Sequence, residues 1–598
     1  MRILLFLLVP LSLLAAPPDI ALEDVLPPLE PWSGRSESLV LEAGDPWVTP
    51  GEDSGLTRSP SYDETVAWLR KLVAAAPELE MVSLGRSPEG RDIWMVIASR
   101  ERRFTPEALR ASGKPTLFVQ AGIHSGEIDG KDAGMMLLRD MTVRGTQKQV
   151  LERANLLFVP IFSVDGHERA SRFSRINQRG PEVSGWRTTS QNLNLNRDYT
   201  KADTPEMRAM IAALRRWEPD LYLDIHVTDG ADYQYDITYG YNGEDVWSPA
   251  IARWLAGVYE PAVDAALTEW GHIPGPLIFG VDDSLRQGIV GWVAPPRYSH
   301  GYGDARHIPS VLYENHSLKP FRQRVLGTYV ALVASMEVLG REAESIRKAT
   351  AEDRARRAEV VPLEWTTADT PSGTVEFRGI EARERRSPIT GGLITEWTGR
   401  PYTREVPFWP AEVASSARRP KAYWIPPAWT DVIEQLDVHG IRYERTSEPV
   451  TREFEMYRLD NASIGNQPFE GHVLADAEPR PVRRSWTFPA NSVRVPTDQP
   501  LGTLAMLLLE PASTDSVFTW GLVLEPLSRT EYVEGYVMEP MAARMLELDP
   551  ELRAEFEQKV REDEAFRQSA RRRLEWFYER TPYVDARWRL YPIAREVE

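Results

Sequence analysis

The chain reads as an α/β protein built on a mixed, largely parallel sheet with helices on both faces, followed by a β-rich region and a helical C-terminal segment. Three observations predict this. Between 61 and 345, short apolar runs of strand length alternate with stretches of helical spacing, the pattern of a sheet buried on both sides. From 361 to 540 the periodicity falls to two, and Val, Thr, Trp and Pro become frequent. From 541 to 598 helical spacing returns. A length of 598 residues is too great for a single core and predicts two or three domains.

The elements follow in order. Residues 1–16, within MRILLFLLVPLSLLAAPPD, place one arginine before a short apolar run ending in alanines, the shape of a secretory signal peptide and too short for a membrane span. Residues 17–60, rich in Pro, Gly and acids, predict an irregular leader. SYDETVAWLRKLVAAAPE (61–78) predicts a helix with an acidic start. Strands are expected at MVSLG, IWMVIAS and KPTLFVQ, then NLLFVPIFSV, DLYLDIHVT and SVLYENH. Helices are expected at KDAGMMLLRDM, TPEMRAMIAALRRW and the long run from Phe321. Residues 346–360 predict a charged helical linker, and AWTDVIEQLDVHG a single helix within the β-rich 361–540. The many tryptophans of that region are expected in its core.

Composition excludes several classes. The net charge of −18, with no concentrated basic patch, argues against nucleic acid as a partner. With no cysteine there is neither a disulfide framework nor a thiolate metal ligand, so a metal site must use His, Asp and Glu. No stable membrane insertion is expected once the signal is removed, and a periplasmic or secreted location follows. Oligomeric state is not legible.

In open α/β sheets ligands gather at the carboxyl ends of the strands. Three expected strands end in groups able to hold metal or move protons: His124 leading to Glu127, His226, and Glu314. A lone H-x-x-E is weak, since about one chance match is expected among nine histidines in an acidic chain. The joint placement is stronger. Two histidines and one carboxylate leave an open fourth position, the make-up of a catalytic rather than a structural zinc site. A carboxylate outside the ligand set then serves as general base.

HSGE (124–127), the Val-Asp-Gly segment 164–166, NLNLNRDY (192–199), LDIH (223–226) and VLYE (311–314) resemble the ordered motifs of the zinc metallocarboxypeptidases, over roughly residues 60–340. The resemblance implies one Zn2+ held by His124, Glu127 and His226, with Glu314 activating water. It implies that Asn196 and Arg197 grip the free carboxylate of a peptide substrate. An arginine stabilising the oxyanion is also implied, with Arg179 favoured over Arg175, both in SRINQRG. Tyr302 and Tyr298 are the candidates for a substrate-binding tyrosine. The sequence departs from the family at Asn194, where an aspartate usually orients a zinc-bound histidine. Asp229 reads as a loop cap, and His439 and His472 as structural or exposed. Arg297, His300 and Arg306 in the loop 294–306 hint at tolerance for an acidic side chain. The expected activity is removal of a C-terminal residue. The alternatives are cleavage of peptidoglycan stem peptides or N-acyl amino acids, and a non-catalytic binding protein on the same fold.

Overall fold

In the computed structural model, which describes residues 20–529 and 531–597, the centre is an eight-stranded mixed sheet. The proposed signal peptide lies outside the described residues. The sheet consists of β1 (Leu79–Arg86), β2 (Asp92–Ala98), β3 (Thr116–Ala121), β4 (Asn155–Val159), β5 (Leu221–Val227), β6 (Ile237–Gly240), β7 (Pro274–Pro276) and β9 (Ser310–Asn315). Between the last two, β8 (Ile289–Val290) leaves for another sheet. Strand order is β1-β2-β4-β3-β5-β9-β6-β7. The middle strands β4, β3, β5 and β9 run parallel, and β2 and β6 flank them antiparallel.

The central strands are buried throughout because both faces are covered, and most of their residues are apolar. All residues of TLFVQA and LYLDIHV are buried. On one face the helices Asp129–Met141 and Phe321–Arg341 join strand residues such as Val119 and Leu223 in one core. On the other, the helix Pro205–Trp217 packs through Met207, Met210 and Leu214.

That second core does not stop at the sheet. It continues into Tyr423, Leu436, Leu504, Leu508 and Tyr591, so the C-terminal region shares a hydrophobic cluster with the sheet rather than hanging from a linker. The helix Ala343–Ala355, expected over 346–360, buries Ile346 and Ala349 against the first core. The β-rich region comprises a pair, β10 (Val360–Thr367) with β13 (Ala411–Arg418), and a long hairpin, β11 (Gly373–Arg386) with β12 (Leu393–Trp409). β12 pairs in parallel with β8, which docks the hairpin on the central sheet's own loop.

A six-stranded sheet follows, of β14 (Ala422–Ile425), β15 (Glu444–Arg445), β16 (Val450–Ile464), β17 (Ala475–Phe488), β18 (Val493–Pro496) and β19 (Ala594–Glu596). β19 lies between β14 and β16, so the chain end expected to be helical closes in a strand after its helices Gly535–Leu548, Pro550–Glu562 and Ala570–Tyr578. Those helices carry their own small core around Phe566, Trp576 and Phe577. The leader is irregular but anchored. Glu52 pairs with buried Arg139, Ser36 Oγ meets His272 Nε2 at 2.8 Å, and Trp32 donates to the Gly271 carbonyl.

Candidate active site

β3 ends at Ala121, and the chain turns through Gly122, whose φ of 68° suits glycine. The Glu127 amide then donates to the His124 carbonyl at 2.8 Å, which folds His-Ser-Gly-Glu into a tight turn presenting both side chains to one point. Gly126 is required by crowding: a Cβ there would stand 2.7 Å from Arg175 Cγ and 2.9 Å from the Gly185 carbonyl. His226, near the end of β5, comes to the same point. One ligand atom from each of His124, Glu127 and His226 lies within 4.8 Å of the others, all three residues being buried. The histidine and glutamate of this turn thus converge with a third group rather than merely satisfying each other.

The imidazoles are fixed from behind. His124 Nε2 meets Asn194 Oδ1 at 2.8 Å, and His226 Nε2 meets Asp224 Oδ2 at 2.7 Å. Both Nδ1 atoms therefore face Glu127, at 3.1 and 3.0 Å. Burial pushes the His124 imidazole down to about 4, and its Nδ1 has no hydrogen-bond partner. Burial would raise the Glu127 carboxyl, but His124 and Arg175 outweigh it and hold it well below the usual carboxylate range. Burial opposes protonation of His226 as well, but Asp224 overrides it and raises the imidazole. Two imidazole nitrogens and an ionised carboxylate, with one nitrogen orphaned in a buried site, fit a zinc ion.

Glu314 stands on β9 directly opposite His226 in the parallel register. Its carboxyl is buried with Oε2 unpartnered. Burial raises it to about 8, with His226 lowering and Glu127 raising it. These groups open into a cavity of about 400 Å3 that also receives Arg187, Asn196 and Arg197. Its far wall is Leu277, Ile278, Phe279, Trp292, Tyr298 and Leu312. Asn196 Oδ1 accepts from the Ser299 amide at 3.0 Å. The Arg197 guanidinium lies 4.2 Å over the Tyr298 ring and donates to the Asn196 carbonyl at 2.8 Å.

Several sequence expectations are placed elsewhere. Arg179 points away from the cavity, its guanidinium donating to Glu23 and to the Pro27 carbonyl of the N-terminal segment. Tyr302 is fully buried between the sheet and the C-terminal region, bonded to His439 Nδ1 at 2.8 Å, so it cannot touch substrate in the cavity. Arg297 is committed to Asp515 at 2.6 Å and Arg306 to the His439 carbonyl at 2.8 Å, which removes the cations behind the expected tolerance for an acidic side chain. Arg175 reaches Glu127 Oε1 at 3.1 Å. Asp229 is no cap: it lines the cavity mouth, 3.6 Å from Arg187 and 3.9 Å from Arg175.

Sequence reasoning missed Arg187, which touches Glu127 at 2.9 Å and lines the cavity, and Asp224. Asp224 had a legible signal, since residues two apart on a strand share a face. Arg187 had none in spacing alone.

Strand-end histidines, a buried carboxylate pair and cavity-lining cations define a metallohydrolase type of site. Residues 65–272 match the family model described as zinc carboxypeptidase. The chain is 22% identical over 516 residues to carboxypeptidase 2 of Trichophyton tonsurans, covering 80% of this chain and 87% of that protein. It is 27% identical over 199 residues to carboxypeptidase D of Rattus norvegicus, covering 32% of this chain and 14% of that protein. Carboxypeptidase A from Helicoverpa armigera superposes with a TM-score of 0.34 at 22% identity, over 49% of this chain and 74% of that one. Over residues 65–272 the chain is thus similar to the zinc carboxypeptidases, a family of peptide hydrolases.

Proposed function

We propose that the protein is an exported zinc carboxypeptidase that cleaves the last peptide bond of substrates with a free C-terminal carboxylate. One observation carries this reading: Arg197 lines the same cavity as the His124–Glu127–His226 cluster. Zinc, when bound there, supplies a Lewis acid that polarises the scissile carbonyl and acidifies water. His124 and His226 offer Nδ1, and Glu127 its carboxylate.

The remaining steps belong to the chain. Arg197 and Asn196 hold the substrate carboxylate, a bidentate match for a guanidinium fork. Glu314 takes a proton from the attacking water and delivers it to the leaving amine as the carbon–nitrogen bond breaks. Its raised affinity for a proton suits the delivery, and the positive charge of a cation would draw it down toward the ionised form needed for the uptake. Arg187, a cation lining the same cavity, is the group we assign to the negative charge that develops on the carbonyl oxygen. Export is supported by the apolar N-terminal run, and among the described residues no helix is long and apolar enough to cross a membrane.

Mass spectrometry of defined peptides incubated with purified protein, with and without chelator, tests the reading. Loss of one residue from free-carboxylate peptides, abolished by chelation and absent for C-terminally amidated ones, is expected. Equal cleavage of amidated peptides would overturn it.

A further inference from the structure

A second cavity of about 310 Å3 lies behind the wall formed by Leu277, Ile278, Phe279 and Trp292, which line both spaces. Its outer side is built by Val375, Glu376 and Phe408 of the β11–β12 hairpin, beyond the residues matched by the family model. A run of ring contacts links it to the carboxylate clamp. Arg197 stacks on Tyr298, Tyr298 meets Trp292 edge-on at 4.9 Å, and Trp292 stands 5.5 Å from His300 inside the second space.

Resting on the carboxypeptidase reading, we infer that this compartment receives the cationic side chain of a terminal lysine or arginine. Its walls include Tyr235, Tyr239 and Tyr241, aromatic rings of the kind that attract cations through their quadrupoles. Glu260 adds a carboxylate whose Oε2 accepts the Tyr241 hydroxyl, while no donor among the described residues reaches Oε1. Glu376 adds a second, exposed carboxylate at the hairpin side, paired with Arg378 at 3.6 Å. Independently of these acids, His300 is 3% exposed, lines the space, and leaves Nδ1 without a partner. Burial drives its imidazole down to about 3, so the ring is neutral, and in the tautomer with the proton on Nε2 its Nδ1 would accept from an ammonium or guanidinium. The arginines of the neighbouring loop that could oppose a cation, Arg297 and Arg306, are turned into other contacts. An acidic terminal side chain would meet Glu260 and Glu376, with Arg378, already spent on Glu376, as the neighbouring cation.

The test uses the full-length, zinc-loaded protein and hexapeptides differing only in a final Arg, Lys, Leu or Glu. The wild type is expected to favour Arg or Lys over Leu in kcat/KM. Glu260→Gln should cut that preference ~10-fold, the scale of one charge-assisted hydrogen bond, with the Leu-ended peptide changed less than about twofold. Glu376→Gln, on an exposed strand, should cut it in the same sense and decides the matter should Glu260→Gln unfold. A wild-type preference for Leu or Glu, or an unchanged preference in folded variants, would overturn the inference while leaving the peptidase reading intact. Calorimetric binding of Nα-acetyl-arginine against Nα-acetyl-leucine asks the same question without turnover. A loss of arginine selectivity in Glu260→Gln supports the compartment even where no peptide is cleaved, and equal affinities in the wild type refute it.

Discussion

Asp224 sits two residues before His226 on β5 and holds its Nε2 at 2.7 Å, while its other oxygen accepts from Gln120 at 2.8 Å. The alternation of a strand puts both side chains on one face, so the strand that brings His226 to the cluster also brings the group that orients it. Burial alone would raise the Asp224 carboxyl, and the His226 partnership outweighs that and lowers it. Asp224→Asn keeps the shape but weakens the pull on the imidazole. Zinc affinity should fall roughly 10–100-fold, measured by chelator competition on the metal-free protein. In the opposite sense, Asn194→Asp should strengthen the hold on His124 and tighten zinc binding. An unchanged zinc affinity in both variants would remove these two residues from the metal site.

Glu314 is assigned the proton transfers. Glu314→Gln preserves volume and removes the base, so kcat should drop roughly 10²–10⁴-fold. Zinc content, read by atomic emission on the same preparation, should stay at one per chain because Glu314 lies outside the ligand cluster. Retention of near-normal turnover would require a different base.

Two arginines separate the sequence reading from the structural one. Arg187→Ala removes a cavity-lining cation and should lower kcat roughly 10²-fold, the scale of one oxyanion donor. Arg179→Ala should leave kcat/KM within a few-fold, since its guanidinium is spent on Glu23 and Pro27. Its effect should instead appear as faster proteolysis of the N-terminal segment. The reverse pattern would restore Arg179 to the reaction.

The parallel centre of the sheet was legible because strands buried on both faces leave unbroken apolar runs, as in KPTLFVQ and DLYLDIHVT. The convergence of His124, Glu127 and His226 was legible because strand ends gather ligand-type side chains by a general rule. What escaped has physical reasons. β6 and the edge strand β7 are short, four and three residues, too brief to show a period. Arg179 and Arg187 flank the same irregular loop, and spacing in a loop does not say which side chain turns inward. Tyr302 was misplaced because the partner that buries it, His439, lies 137 residues away in another region. The same cause hid the sharing of one core between the sheet and the C-terminal region, visible only once Tyr423 and Tyr591 are found against it.

Glu206, in the first turn of the helix Pro205–Trp217, is fully buried and neither carboxylate oxygen has a side-chain or backbone partner outside its own turn. Burial raises its carboxyl to about 7, with Asp165 and Asp198 adding to the rise. In the unfolded chain the group has its ordinary value of 4.5. The folded protein therefore holds a proton that the unfolded chain releases between these two values. The contribution to stability is full below about pH 4.5, declines as pH rises to about 7, and is flat above. Glu206→Gln mimics the protonated form at every pH. It should raise stability at pH 8 by ~1–2 kcal/mol relative to the wild type and change it little at pH 4.5. Urea unfolding of both proteins across this range, with wild-type and variant curves converging toward low pH, is the expected outcome. Parallel curves would show that Glu206 is not held as the neutral acid.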